Sequence, residues 1–582
     1  MPGSPPSTAP TTDRRVSRSL ATGLGGLVLT LASGCSDPAG QVTGSPTPPV
    51  SSSQGPSPGW WEEFTETSGV DFRQTSGAVG ERQFPEIMGA GVAVFDADGD
   101  DDLDLFFTNG ASSERSEATD RFYRQTAPGR FEDATGASGL GGTGYGMGVA
   151  VGDFDNDGHV DLFVTNVGAD RLYRNQGDGT FADHTSASGI VNDAWSSSAL
   201  FFDYDRDGFL DLFVARYVVT DPTDPCFDRT GRPTYCGPKA RTPLSDQLFH
   251  NQGDGTFIEV SDAAGFASIA AAGLGAIAQD FDGDGWPDLA VANDAYINHL
   301  WINQKDGSFS ELAFPLGIAF NQHGQAEAGM GIVSGDFDGD QTFDLFLTHL
   351  AVETNTVYRG IGASGFKDVT GTAGIAASSM PFTGFGVVAL DADCDGDLDL
   401  MVANGRVSLG PEGDAQDPWL PYAEPNQAFV NDGKGRFEEI TADSPFSTPI
   451  EITRGMATGD LDQDGDLDVV IANIEGPARL YRNVCPNPGS WLRVRAVDPA
   501  LKRDAIGAVL TVKAGDRSYL RIVHGQGGYQ SSSSLVAHFG LGEAETIDGL
   551  DVQWPDGMRE TFPGGPVDRT LKLLRGTGTP SR

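Results

Sequence analysis

The chain has 582 residues, 38% of them apolar, with 78 glycines and a formal net charge of −44. So negative a surface excludes a reader of phosphate backbones, which carries a basic footprint, and it opposes compaction by self-repulsion unless cations neutralise it. The length allows several domains or one large repeat architecture, and the glycine content favours tight turns over long helices.

At the N-terminus Arg14, Arg15 and Arg18 precede the short apolar stretch LATGLGGLVLTLASGC, which ends at Cys35. A positive start, a short apolar run and small residues before a cut site make residues 1–35 an export signal. The end of this stretch, ASGC, resembles the bacterial lipobox, with Ala32 where Leu is usual, and the resemblance makes Cys35 the lipidated first residue of the mature chain. The arginine pair also resembles a twin-arginine signal, although the residues around it differ. An uncleaved membrane anchor fits less well, because the stretch is short and rich in glycine. Residues 36–59, rich in Ser, Pro and Gly, read as a flexible spacer. The protein is therefore expected to be exported, lipid-anchored to a bacterial cell envelope or secreted, and to meet a membrane only through that lipid.

From residue 60 onward one nine-residue acidic loop recurs seven times. DADGDDDLD carries Asp96, Asp98, Asp100 and Asp104; DFDNDGHVD carries Asp153, Asp155, Asp157 and Asp161. DYDRDGFLD carries Asp203, Asp205, Asp207 and Asp211; DFDGDGWPD carries Asp280, Asp282, Asp284 and Asp288. DFDGDQTFD carries Asp336, Asp338, Asp340 and Asp344; DADCDGDLD carries Asp391, Asp393, Asp395 and Asp399. DLDQDGDLD completes the series with Asp460, Asp462, Asp464 and Asp468. Acids always stand at the first, third, fifth and ninth places. Oxygen ligands at alternating places of a tight loop suit a hard cation, and Ca²⁺ accepts six to eight oxygens with tolerant geometry. Mg²⁺ fits less well, since it keeps several waters. An EF-hand is excluded, because the last acid comes at the ninth place and a strand follows. Glycine at the sixth place permits the sharp turn, whereas Asp101 and Gln341 stand there in loops one and five, which are expected to be strained or weaker. About seven structural calcium sites are expected, taking the formal charge from −44 to about −30.

The flanks repeat too. A Gly-containing apolar run such as GYGMGVAVG precedes most loops; a run such as VDLFVTN, a strand such as RLYRN, a turn such as QGDG and a strand such as TFADHT follow. Short strands at regular spacing, with no sustained helical period, predict an all-β fold, here a seven-bladed β-propeller over 60–485. The F-x-x-x-T strand is read as led by Phe64, Phe131, Phe181, Phe257, Phe309, Phe366 and Phe437. Each pairs with the preceding LYRN-like strand. The strand at Phe64 then lacks a predecessor and that at 479–483 a successor, so their pairing is expected to close the ring.

Within the third repeat, residues 216–247 form an insertion that concentrates Arg and Lys in an acidic chain. It is read either as a contact loop for an anionic partner or as a structural plug. Beyond Cys35 four cysteines remain; Cys226 and Cys236 are a possible local disulfide, and Cys394 with Cys485 a further possibility that spacing leaves open. GTGYGMGVA leads into a strand and an Asp loop, which excludes a phosphate-binding loop. Trp195, Trp286 and Trp301 are read first as blade packing and second as sugar-stacking platforms.

The acidic loops resemble the FG-GAP/VCBS repeats of integrin α-chain propellers and bacterial surface proteins, which implies an integrin-α-like propeller stabilised by calcium on one rim. Residues 486–582 follow as a small β domain. Its blocks KRDAIGAVLTVKAG, HGQGGYQSSSSLVAHFGLG and IDGLDVQWPDG resemble the ASPIC/UnbV domain, with Lys502 where that family usually has Asn. Propeller plus this domain resembles the bacterial members of the cartilage acidic protein-like family, as do YCGP at 235–238 and ETNTVYR at 353–359. That family has no established reaction to lend. Arg503, Asp504 and Gly507 with His524 and Tyr529 make either a polar pocket or, more simply, a braced turn with Arg503 and Asp504 paired. Ser531–Ser534 near His524 lack a nucleophile elbow. Two functions remain: a surface or extracellular binding and adhesion module for a protein or glycan, or a polysaccharide-acting or other extracellular enzyme with its site at the propeller channel or in the C-terminal domain.

Overall fold

The computed structural model describes residues 59–110, 118–220, 226–410, 417–440, 444–486, 488–525 and 527–581. The export signal, with Cys35, and nearly all of the spacer lie outside the described residues.

Each repeat folds as a blade of four antiparallel strands. In the second blade the innermost strand Gly146–Gly152 leads through the acidic loop into Asp161–Asn166, followed by Arg171–Asn175 and Phe181–Asp183. Its register pairs Gly152 with Asp161, Leu162 with Tyr173 and Asn175 with Phe181, which puts the acidic loop on one rim. The first two strands are unbroken buried runs because neighbouring blades cover both of their faces. Phe95, Phe106 and Phe122 of blade one pack against Leu162, Tyr173 and Phe181 of blade two. A four-residue helical turn, Thr135–Ser138, carries the chain between these two blades. It ends at Gly139 with φ 82°, where a Cβ would stand 2.5 Å from the Phe181 carbonyl oxygen.

The ring closes as expected between its ends, with a corrected register. The outer strand of the last blade is Trp61–Glu63, and it pairs with Arg479–Asn483 through Trp61 to Asn483 and Glu63 to Tyr481. Trp61, not Phe64, therefore occupies the place of Phe181 and its equivalents. Trp61 is buried beside Met456, Val469 and Tyr481, while Phe64 follows the strand and lies under the Arg482 guanidinium at 4.8 Å. An aromatic three residues downstream of the true lead residue drew the sequence reading to the wrong side chain.

The C-terminal domain packs two sheets around Leu492, Val494, Leu510, Val512, Phe539 and Trp554. One contains Ser490–Asp498 between Ala537–Gly542 and a parallel partner, Arg569–Leu574. The other is built on Val509–Ala514 and Thr546–Gln553. From this domain the segment 527–534 enters the propeller and fills its central channel. Gly528 exchanges backbone hydrogen bonds with Ile332, at 2.7 and 3.1 Å, and Ser532 with Val92 and Val94, both at 2.9 Å. The Val149 N–H donates to the Gln530 carbonyl at 3.2 Å, and the Ser534 N–H to the Thr458 carbonyl at 3.0 Å. Tyr529 is fully buried, donates its hydroxyl to the Met88 carbonyl at 2.7 Å and lies edge-on to Phe385. The glycines of the innermost strands make room: a Cβ on Gly91 would stand 2.4 Å from the Gln530 carbonyl oxygen.

Between the second and third strands a buried side chain accepts a backbone N–H. Asp120, Asp170 and Asp246 do so in blades one to three, at 2.8, 2.7 and 3.0 Å. Asn298, Asn355 and Asn426 do the same in blades four to six, at 3.2, 3.0 and 2.9 Å. Burial pushes the Asp246 carboxyl up to about 7. A carboxyl raised in the folded state contributes stability that is full below its unfolded value and is lost as pH rises through the folded one. Asp246→Asn retains the accepted bond and removes that loss. It should gain about 1 kcal/mol over the parent between roughly pH 6 and 8 in urea unfolding; a pH-independent difference would contradict this.

Candidate metal centres

The four acids of each loop have different jobs. The ninth is a latch between strands. Asp161 is fully buried and accepts the Phe154 N–H at 3.0 Å and the Asn175 N–H at 2.8 Å, tying its own loop to the third strand. Asp104, Asp211, Asp288, Asp344, Asp399 and Asp468 repeat this double bond. The first acid closes the loop: Asp153 accepts the Gly158 N–H at 2.8 Å and the Asp157 N–H at 3.1 Å. Gly158 takes φ 104°, whereas Asp101 and Gln341 hold the same place at φ 68° and 67°, a left-handed backbone that non-glycine residues adopt at a cost. Both have outside support, Asp101 from Arg495 at 2.8 Å and Gln341 from the Ser518 carbonyl at 2.9 Å.

These backbone bonds turn the remaining carboxylate oxygens toward one another. Ligand atoms of Asp153, Asp155 and Asp161 lie within 4.8 Å of each other, as do those of Asp96, Asp98 and Asp100, of Asp203, Asp205 and Asp211, and of Asp280, Asp282 and Asp288. One buried oxygen each of Asp98, Asp203, Asp338, Asp391 and Asp462 has no hydrogen-bond partner. Burial, aided by the neighbouring acids, pushes the Asp104 and Asp288 carboxyls up to about 8 and those of Asp211 and Asp344 to about 7. It raises Asp161, Asp399 and Asp468 well above the carboxylate range. Carboxylates with ligand atoms this close together, one of them in five of the loops holding an oxygen without a partner, suit a hard divalent cation, whose charge would offset that repulsion.

Basic residues surround the loops. Third-strand side chains pair with acids at the third and fifth places, as Arg174 does with Asp155 and Asp157 and Arg359 with Asp338 and Asp340, and in blade four Lys305, in the turn after the third strand, pairs with Asp284. The C-terminal domain covers the same rim: Arg493 lies 2.5 Å from Asp460, Arg495 2.8 Å from Asp101, and Arg517 pairs with Asp397. Arg503 reaches Asn156 at 2.9 Å and the Gly208 carbonyl at 3.3 Å. The Asp504 carboxylate pairs with Arg495 at 2.8 Å, while Arg503 meets Asp504 by donating to its backbone carbonyl at 3.2 Å, so the expected brace forms through the backbone and not as an ion pair.

Other candidates separate. Tyr529 and the buried Ser531 and Ser532 belong to the channel segment, and Arg503 belongs to the rim, so the pocket read across 503–529 is not assembled. His524 lines a cavity of about 120 Å³ with Arg521, Asp391, Ser533, Ser534 and His538. The channel offered to a catalytic reading is filled. Trp195 and Trp301 are buried, and Trp286 stacks under Arg206 at 4.4 Å. Cys226 and Cys236 are disulfide-bonded, and no disulfide joins Cys394 to Cys485.

One recurring feature escaped the sequence reading. The Asn that ends the third strand bridges two loops: Asn303 donates to the Pro287 carbonyl of its own loop at 3.1 Å and to the Tyr204 carbonyl of the preceding blade at 2.8 Å. Asn175, Asn251, Asn431 and Asn483 reach the preceding blade in the same way. The signal was present as the recurring last letter of LYRN, which is Asn in five of the seven third strands and Gln125 and Gly360 in the other two. Asn303→Ala leaves two carbonyls unpaired and should lower stability by about 1–3 kcal/mol, read from the urea midpoint at fixed metal concentration; an unchanged midpoint would refute the bridge.

Seven blades with an acidic loop on the same rim of each define a β-propeller of FG-GAP type. The chain is an FG-GAP-repeat protein with a C-terminal ASPIC/UnbV domain, a combination consistent with the cartilage acidic protein-like family. The FG-GAP-like repeat model matches residues 96–164, 153–214, 280–347 and 419–471, and the ASPIC and UnbV model matches 498–580. Cartilage acidic protein 1 of Xenopus tropicalis is 26% identical over 333 residues, and that of Homo sapiens 26% over 337. Each match covers 56% of this chain and 40% of the relative, so the chain spans well under half the length of these relatives. Among solved structures, an Agrocybe aegerita lectin that recognises terminal N-acetylglucosamine aligns at TM-score 0.37 and 15% identity, over 67% of this chain and 86% of that one.

Proposed function

We propose that this protein is an exported propeller that holds calcium in its seven acidic loops and serves as a binding or adhesion module at the cell surface, tethered through lipidated Cys35. The observation that carries the calcium reading is the set of buried, unpartnered carboxylate oxygens, in five of the seven loops, at the same rim. Oxygen-only donors in a tolerant loop suit Ca²⁺. The disulfide between Cys226 and Cys236 supports an oxidising compartment.

In this reading the metals are structural, because the rim that bears them is covered by the C-terminal domain. Recognition then falls to the opposite rim. There the loops between second and third strands carry the disulfide-pinned insertion, Lys239 stacks on Tyr296 at 3.4 Å, and Val219, Phe227, Val352 and Leu420 stand exposed. Basic, aromatic and apolar side chains together suit a surface protein or an acidic glycan.

Thermal melts of the intact protein in millimolar Ca²⁺ and in excess EGTA test the metal reading. With each site worth about 2–3 kcal/mol at a hundredfold excess over Kd, chelation should lower Tm by roughly 10 °C or more. An unchanged Tm would sink the calcium reading. Cross-linking on intact cells should recover a discrete partner, lost when the opposite rim is mutated and retained when the C-terminal domain surface is.

A further inference from the structure

We propose that the third acidic loop, Asp203–Asp211, together with His250 of the neighbouring strand forms a mixed nitrogen and oxygen site for a first-row transition-metal dication of the zinc class, in place of calcium. This deepens the reading of the loops as metal centres and rests on it.

The observation is positional. The place that His250 holds in the third strand, paired with the residue after the lead residue of the outer strand, is taken in the other blades by Arg124, Arg174, Ile302, Arg359, Val430 and Arg482. The arginines are permanent cations and cannot donate to a metal; Ile302 and Val430 have no donor. His250 alone among these seven brings a side-chain nitrogen of the kind that can ligate a metal. Its Nδ1 lies 3.1 Å from Asp211 Oδ1 and 3.4 Å from Asp205 Oδ2. Those are the spacings of adjacent ligands in a shell with bonds of about 2.0–2.2 Å. Asp205, Asp207 and His250 each offer an atom within 4.8 Å of the others, and Asp203, Asp205 and Asp211 form an overlapping set.

A second feature points to a ligand there. Asp203 is 9% exposed, its Oδ1 is buried without a hydrogen-bond partner, and it offers a ligand atom within 4.8 Å of those of Asp205 and Asp211. The imidazole is fixed by its strand, where His250 pairs with Ile258, and by the Tyr204 ring set edge-on at 6.0 Å. Imidazole with carboxylates selects zinc-class ions over calcium, because nitrogen ligation favours them and calcium takes oxygen alone.

The test uses the whole protein, stripped with chelator and dialysed against millimolar Ca²⁺ with micromolar Zn²⁺, its bound metals counted by mass spectrometry. One zinc per chain beside several calciums is expected. His250→Gln should weaken zinc binding by at least about tenfold while leaving calcium and Tm in place. His250→Arg, which installs the side chain of blades two and seven, provides a second variant whose fold the other blades already tolerate. Cobalt substituted for zinc should give visible ligand-field bands in the parent that both variants lose. Calcium retained with no zinc would overturn the proposal and leave the calcium reading standing. Zinc retained equally in both variants would also overturn it, and loss of both metals would overturn both readings.

Discussion

Everything in the propeller hangs on a buried carboxylate that accepts two backbone N–H groups. At the ninth place of each loop it joins the loop to the third strand, and in five blades an Asn at the end of that strand joins the loop to the blade before. The ring is thus stitched at one rim by side-chain to backbone bonds, while apolar packing between blades fills its wall. This arrangement forces negative charge into a protein interior, where each carboxylate repels the others of its loop. The chain meets that problem with arginines from its third strands and from the C-terminal domain. In five loops a first or third acid nonetheless retains an oxygen without a hydrogen-bond partner, which is the arrangement expected where a cation completes the balance.

The repeat made the architecture legible, because a strand pattern copied seven times averages out local ambiguity. Blade count, strand order and ring closure could all be read from the spacing of the loops. The register at the closing strand could not: WWEEFT offers two aromatics, and only packing decides that Trp61 takes the core slot. The acids were found by their spacing, yet their division of labour was not, because a latch and a ligand have the same side chain. The bridging Asn was visible as a letter but had no partner within its own repeat.

The segment 527–534 was the least legible part. Its glycines and serines carry no apolar period, so it read as a polar loop and, beside His524, as a faint catalytic suggestion. Its role is set by the surface it meets. The innermost strands end their hydrogen bonding at the channel wall, and small residues on both sides let two backbones approach closely. Blades one and five have short innermost strands, Val92–Phe95 and Ile332–Gly335, and these are the two that pair with the segment. Gly91, Gly148 and Gly275 are explained by that contact, whereas Gly146 and Gly152 make room for the neighbouring blades.

The acidic rim lies against a second domain whose arginines reach its loops, which under the proposed binding role leaves the other rim to the ligand. There the loops between second and third strands are free to vary in length, as the insertion of blade three shows, because no latch acid or bridging Asn depends on them. A scaffold whose stability is concentrated at one rim leaves its opposite rim open to change without loss of the fold. His250 is the exception that the latch permits. It stands next to Asn251, whose bridge and whose N–H to Asp211 come from backbone and amide groups, so the residue beside it can change from arginine to histidine without loosening the ring. The chemistry of one loop can then shift while its architecture stays the same.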